Sequence, residues 1–477
     1  MIRARGSRPV PFPAMDRSLW AVLFGTFTLR VSTGLTGALL VFYAAELTGH
    51  HGIVDQLLGL GPGEALSPFA FSVLAALFFV SELLLSPVFG ILSDRAGHHR
   101  VMQLGPLFGI VAAVLTWATT NLPLLGATRL LEGSSTAASV PSILGYIAAA
   151  TRDDEGLRGR AAARFEAATL AGLLAGFVLA GLLYTAVGPA AFLLNAVLYA
   201  VSMSIYRYGV SPSLDVAPAA AAPGPGAGAP ASRWSPDLEP AAGPPASALG
   251  RGLGLDRYRR ILARSHVWLL APTWIAINAV LGLYTTQTIF QLVRERDPAF
   301  ADQLLMGGFE PVQVSAGLAV GGLLFFAGLI YWGNRFQNLR RSTIILYGLG
   351  GGLLLVAGAV AINHSEGQLP ILRLVYAVPV VAGLFVLAGA TPAAIGLLAD
   401  VTEAYPEDRG AIMGLYSVFL GLGQIGGSLI AGGVATAAGL DGILLASVVL
   451  LSLAVIPLLA LRRHEHFLGP SQPEVID

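Results

Sequence analysis

Four charged side chains lie far inside apolar stretches of this chain: Arg30, Glu82, Arg129 and Glu132. A charge in hydrocarbon is costly, so such residues face a cavity, a partner or an ion pathway. Arg30 follows Trp20 by ten residues, which at ~1.5 Å per residue places it ~15 Å deep, near the middle of a bilayer. Glu132 reaches a similar depth when counted from Pro123 on the opposite side, and Arg129 stands one helical turn away on the same face. Glu82 lies deeper toward the other surface. These groups support ion pairing, solute recognition and proton transfer rather than bond cleavage. Desolvation and a neighbouring guanidinium act on a carboxyl in opposite directions, so it can alternate between ionised and neutral forms. That makes Glu132 the first expected proton carrier and Glu82 the second. Asn278, Tyr284 and Gln287 are expected to add polar contacts to a solute. The chain has no Cys, its eight His fall in loops or at helix ends, and His464-Glu465-His466 lacks the spacing of a zinc protease. No nucleotide-binding loop is present. An enzyme, a metal site, a cofactor or ATP-driven work is therefore not expected.

The elements that must position these residues are apolar segments long enough to cross a membrane. Hydrophobic residues make up 55% of the chain and charged ones 12%, about half the roughly 25% charge of a soluble domain. Spans are predicted at 19–47, 67–89, 101–120, 123–149, 166–187, 189–206, 267–292, 312–333, 343–362, 370–398, 412–437 and 440–461. Arg373 opens one of these and is expected to snorkel to the interface. All 28 basic residues are Arg; with the amino terminus inside, 23 fall in cytoplasmic segments and two, Arg294 and Arg296, outside. That bias predicts a multi-pass protein of the plasma membrane with both termini cytoplasmic. Net charge is zero, which argues against a nucleic-acid partner. Residues 210–265 differ in kind: an Ala/Pro/Gly-rich stretch reads as a flexible linker, and 256–264 as a basic amphipathic helix on lipid head groups. The predicted units are therefore 1–209, the linker 210–265, and 266–477.

The two flanking units repeat. Sliding the chain by 251 residues sets Pro141 on Pro392, Gly145 on Gly396, Thr151 on Thr402 and Arg158-Gly159 on Arg409-Gly410. The same register sets Gly172 on Gly423, Gly176 on Gly427, Gly181 on Gly432 and Gly188 on Gly439. The first three of these pairs are expected at close helix contacts. Between the second and third spans runs Gly90-Ile91-Leu92-Ser93-Asp94-Arg95-Ala96-Gly97-His98-His99-Arg100. It reads as a short turn in which Gly90 ends a helix, Asp94 accepts N–H bonds at the next helix start and Gly97 takes a positive φ. Asn334-Arg335 with Arg340 and Arg341 is its expected echo, with Asn for Asp.

Gly90, Leu92, Asp94, Arg95, Gly97 and Arg100 resemble the short-loop signature of the major facilitator superfamily of transporters. Leu125 to Gly133, with Arg129 and Gly133 four residues apart, resembles the motif of its proton-coupled members, with Glu132 in place of an amide. Gly172 to Gly181 resembles the glycine motif of its antiporters, with Phe177 for the Pro and Ala180 for a Gly. The resemblance implies an all-α membrane protein of twelve transmembrane helices in two pseudo-symmetric six-helix bundles, akin to bacterial efflux proteins. It also implies that the first and fourth spans line a central cavity, so an Arg30–Glu132–Arg129 cluster is expected there. Asp94 is expected to latch the start of the eleventh helix near Gly410. The implied function is secondary active transport of a small organic solute by alternating access, with proton-coupled antiport foremost. Transport of an organic anion is the alternative, and a non-transporting receptor or scaffold a third. Expected partners are the solute, protons and membrane lipids, with the chain monomeric.

Overall fold

The computed structural model describes residues 16–151, 154–212, 267–335, 339–394, 396–397 and 409–464. Of the expected linker 210–265, residues 213–265 with the amphipathic segment lie outside the described residues, as does Thr402. Regular structure among the described residues is helical throughout. In hydrocarbon that is the arrangement by which a single segment satisfies its own backbone.

The long helices are α1 (Arg17–Ala45), α2 (Pro68–Ala96), α3 (His98–Ala118), α4 (Leu122–Ala150), α5 (Glu155–Val187) and α6 (Ala191–Gly209). After the linker come α7 (Val267–Leu283, continuing through a π-helical turn Tyr284–Thr288 into Ile289–Val293), α8 (Pro311–Gly333), α9 (Arg341–Asn363) and α10 (Pro370–Leu387). The last helical run, Arg409–His464, breaks at Ala438 and Gly439 into α11 (409–437) and α12 (440–464). The fold is an all-α membrane protein of two six-helix bundles. Eight helical stretches meet the length and hydropathy of a span, and two of them, Arg160–Gly209 and Val418–Arg463, each hold two helices. The two helices outside that set are α4, which carries Arg129 and Glu132, and α7, which the π turn divides.

The repeat is visible in the backbone. Gly188 closes α5 at φ 57° and ψ −139°, and Gly439 separates α11 from α12 at φ 59° and ψ −140°. That left-handed corner, which a side chain would strain, turns one helix directly back into the next. The packing repeats as well. A Cβ on Gly172 would stand 2.6 Å from the Phe27 oxygen and 2.7 Å from the Arg30 Cβ; on Gly423 it would stand 2.6 Å from the Ile275 oxygen and 2.6 Å from the Asn278 Cβ. Gly176 lies against the Val31 carbonyl and Gly427 against that of Ala279. Small residues thus let α1 approach α5, and α7 approach α11, backbone to backbone.

The bundles meet along two seams, α2 with α11 and α5 with α8. Gly432 lies against Ser72, and Gly181 against Pro311 and Ser315, where its N–H donates to the Ser315 hydroxyl at 2.8 Å. Phe71 stacks on Phe290 with centroids 4.6 Å apart. These contacts lie toward the face that carries the short helix Ile53–Leu58, called here the Asp55 face; the opposite face carries Asp94. Asp55 itself is wholly buried. Thr119 (2.5 Å), Thr120 through its N–H (2.5 Å) and hydroxyl (2.7 Å), and the Gly52 N–H (3.1 Å) all donate to its carboxylate. Burial alone would raise its pKa; these bonds outweigh it and hold the carboxyl below its ordinary value.

The sequence motif at 90–100 is not a loop. Gly90 lies inside α2, which runs on to Ala96, because no residue before Gly97 forces the chain to turn. Gly97 does so at φ 96°, and His98–Val101 is already helical. Asp94 therefore sits in the last turn of α2 rather than at a helix start, and with Arg95 and Arg100 it is exposed. Its expected target near Gly410 has side chains outside the described residues. The echo also shifts. Gly145 packs on His98 as Gly396 packs on Arg341, and Gly105 meets Ser139 as Gly348 meets Ala390. That pairing sets Gln337, not Asn334, opposite Asp94; Gln337 too lies outside the described residues.

Candidate functional site

The expected three-residue cluster divides into two groups. Arg129 and Glu132 form an ion pair within α4, three residues apart and both buried (7% and 2% exposed). The Arg129 guanidinium also lies over the Phe78 ring of α2, 5.0 Å from its centroid. Thr36 of α1 faces the Glu132 carboxylate, but its hydroxyl donates to the Ser32 carbonyl (3.0 Å) and accepts from Asn195 Nδ2 of α6 (2.6 Å). Glu132 Oε1 is left without a hydrogen-bond partner. The pair thus points into the amino-terminal bundle, among α1, α2, α4 and α6.

Arg30 belongs to a different group. Its charge acts on Glu82 of α2 and Glu166 of α5 rather than on Glu132. Its Cβ is held against Gly172, and its Nε is buried without a hydrogen-bond partner. Among the described residues no ion pair or side-chain hydrogen bond joins Arg30, Glu82 and Glu166. Glu82 is half-buried and Glu166 exposed, although each lies well along its helix. Glu166 escaped the sequence reading because it stood at the edge of a span predicted to start at 166. The helix starts at Glu155, capped by Asp154, whose carboxylate accepts the Leu157 N–H at 2.8 Å. Glu166 is therefore roughly three turns inside. The capping Asp followed by helix-forming Ala161, Ala162 and Ala163 was the available signal.

Of the three polar candidates of α7, Gln287 and the Asn278 amide nitrogen are engaged elsewhere, while the buried Tyr284 hydroxyl has no hydrogen-bond partner. Gln287 is fully buried; its Nε2 donates to the Pro68 carbonyl (2.5 Å) and the Ser72 hydroxyl (2.7 Å), and its Oε1 accepts from Gln291 (3.0 Å). It bridges the two bundles and has little capacity left for a solute. Asn278 donates to its own helix at Trp274 O (2.8 Å). Tyr284 turns its hydroxyl toward Ser447 of α12, whose own proton goes to the Ile443 carbonyl (2.8 Å).

The sequence matches the family model described as Major Facilitator Superfamily over residues 22–378 and 308–475. The chain belongs to the major facilitator superfamily. Solved superfamily-like folds include the nucleoside transporter NupG, at 13% identity and TM-score 0.60, covering 94% of this chain and 99% of that one. A bacterial homolog of the human lysosomal transporter Spinster, described as inward-facing and unoccupied, matches at 12% identity and TM-score 0.61, covering 96% and 100%. A search of curated proteins finds no match. This superfamily member is a transporter of small solutes, not an enzyme. Its two halves are unequal in charge. The Gly172 and Gly423 contacts make Arg30 and Asn278 counterparts, and the 251-residue register sets Val380 and Gly383 where Arg129 and Glu132 stand.

Proposed function

We propose that this transporter is a proton-coupled antiporter of the plasma membrane that exports a small organic solute carrying no net negative charge. The observation that carries the reading is the Arg30–Glu82–Glu166 group: two carboxylates, each within electrostatic range of the Arg30 guanidinium and neither closed into an ion pair with it. Two carboxylates against one guanidinium leave an excess negative charge that a proton or a cationic solute can neutralise, by competition. An organic anion is disfavoured on the same ground, since Arg129 is spent on Glu132 and Arg30 faces two acids. Glu82 and Glu166 are the carriers in this reading, Arg30 sets their balance, and Glu132 stays paired with Arg129 within α4. The Arg distribution supports a cytoplasmic Asp94 face and cytoplasmic termini; in that orientation, contact of the bundles toward the Asp55 face corresponds to an inward-facing state. Residues 1–209 and 266–477 then rock about the solute, joined by 210–265, in a monomer surrounded by lipid.

The test is flux in proteoliposomes over a panel of cationic, neutral and anionic solutes, with and without an imposed pH gradient. Glu166→Gln and Glu82→Gln are expected to abolish gradient-driven flux while retaining solute exchange between equal compartments. Glu132→Gln should keep the gradient response. Undiminished gradient-driven flux in the Glu82→Gln/Glu166→Gln double variant would overturn the assignment.

A further inference from the structure

On the Asp55 face, three segments distant in sequence bring an imidazole between two carboxylates. Asp302 comes from the connection after α7, His364 from the end of α9 and Asp441 from the start of α12. One ligand atom from each lies within 4.8 Å of the others. His364 Nε2 stands 2.9 Å from Asp441 Oδ2, a hydrogen-bonding separation that has to open to only about 3.4 Å for the two atoms to share a tetrahedral metal at about 2.1 Å from each. The Asp302 carboxylate lies nearer the other ring nitrogen, Nδ1 (3.9 Å), and is well exposed, so its side chain has room to swing onto an ion held at Nε2.

The surroundings neither neutralise this cluster nor leave it loose. The nearby cations are engaged elsewhere: Arg294 pairs with Asp297 (3.4 Å) and Arg296 with Glu366 (3.7 Å). With a neutral imidazole, Asp302 and Asp441 therefore keep two uncompensated negative charges. Asp441 is held from behind. Asn363, itself fully buried, donates Nδ2 to Asp441 Oδ1 (2.8 Å) and accepts the Leu305 N–H at its own Oδ1 (3.0 Å). Gln303 Oε1 takes the N–H groups of Leu440 (2.8 Å) and Asp441 (3.3 Å). Amide partners of this kind orient a ligating carboxylate and leave its second oxygen for a metal.

We propose that Asp302, His364 and Asp441 form a binding site for a divalent cation of the zinc class. Two oxygens and one nitrogen suit Zn²⁺ and fill three of its four tetrahedral positions, the fourth being open to water. Binding clamps the α7–α8 connection, the end of α9 and the start of α12 to one another. The site stands apart from the Arg30 group and does not depend on the coupling reading.

The test is a Zn²⁺ titration of the purified full-length protein, carrying a tag free of His, against a chromophoric chelator. One equivalent is expected to bind at about pH 7.5. His364→Ala and Asp441→Asn should each weaken binding by at least about tenfold. Asp302→Asn, altered at an exposed position, should weaken it with no loss of fold. His50→Ala, an exposed His on the same face, should leave it unchanged. If the wild type takes up no stoichiometric Zn²⁺, or His364→Ala binds it as well, the cluster is an imidazole–carboxylate tie and the metal site is rejected.

Discussion

Gly172 packs on Phe27, Arg30 and Val31 in the amino-terminal bundle, and Gly423 packs on Ile275, Asn278 and Ala279 in the carboxy-terminal one. Gly34 meets Leu173 as Gly282 meets Gln424. The contacts are the same; the side chains they present are not. Arg30 faces Asn278 across the repeat, and the Arg129–Glu132 pair faces Val380 and Gly383. Close helix approach depends on residues without bulk, so a duplicated sequence keeps its glycines or loses its packing. A buried charge has no such structural necessity and is retained where it acts. The difference teaches that the scaffold is symmetric while the buried charges are concentrated in one half.

That contrast can be broken at its symmetric part first. Gly176→Leu and Gly427→Leu should fail alike, because each side chain would collide with a carbonyl, of Val31 and of Ala279 respectively. Loss of folded, membrane-inserted protein in both is the expected outcome, since overpacking of even well-relaxed sites costs about 1–3 kcal/mol and backbone cannot give way as side chains do. Normal abundance and transport of either variant, measured by fluorescence-detected chromatography and flux, would show that the two α1–α5-type contacts are not equivalent.

The loops on the Asp55 face sharpen the asymmetry. The amino-terminal half anchors them with the ionised Asp55, the carboxy-terminal half with the neutral amides of Gln303 and Asn363. Asp55→Asn should cost about 1–3 kcal/mol, as an amide cannot accept all four bonds. Because the folded carboxyl titrates below its unfolded value, its contribution is complete above the ordinary carboxylate pKa of about 3.9 and fades as pH falls through the depressed value. Wild-type thermal stability should therefore drop in acid more steeply than that of Asp55→Asn. Parallel pH profiles would remove Asp55 from the account.

A smaller effect is expected at the two seams. Gln287 closes one by bonding Pro68 and Ser72, and Ser315 closes the other by accepting from Gly181. Membrane hydrogen bonds average roughly 0.6 kcal/mol, so Gln287→Leu and Ser315→Ala should each raise the population opened at the Asp55 face by about threefold per bond lost. Crosslinking or distance measurements between labels on α2 and α11, and on α5 and α8, would read this. A shift in one variant without the other would mean that the seams do not share the load.

Much of this molecule follows from local properties of the chain. Apolar length sets the spans, and Gly97, Gly188 and Gly439 mark turns because a positive φ suits no other residue as well. The 251-residue register predicted the paired glycine contacts, since residues that must be small announce themselves in a single sequence. Tertiary structure decided which charges meet. Each residue turns a helix by about 100°, so equal depth in two spans says nothing about whether two side chains face one another. Arg30 and Glu132 share a level yet diverge, one toward α2 and α5, the other into its own bundle beside α6. The depth of Glu166 depended on where α5 begins, which a cap in a polar segment fixed. The commitment of Gln287 to α2 required a partner from the other half, and no sequence window contains both.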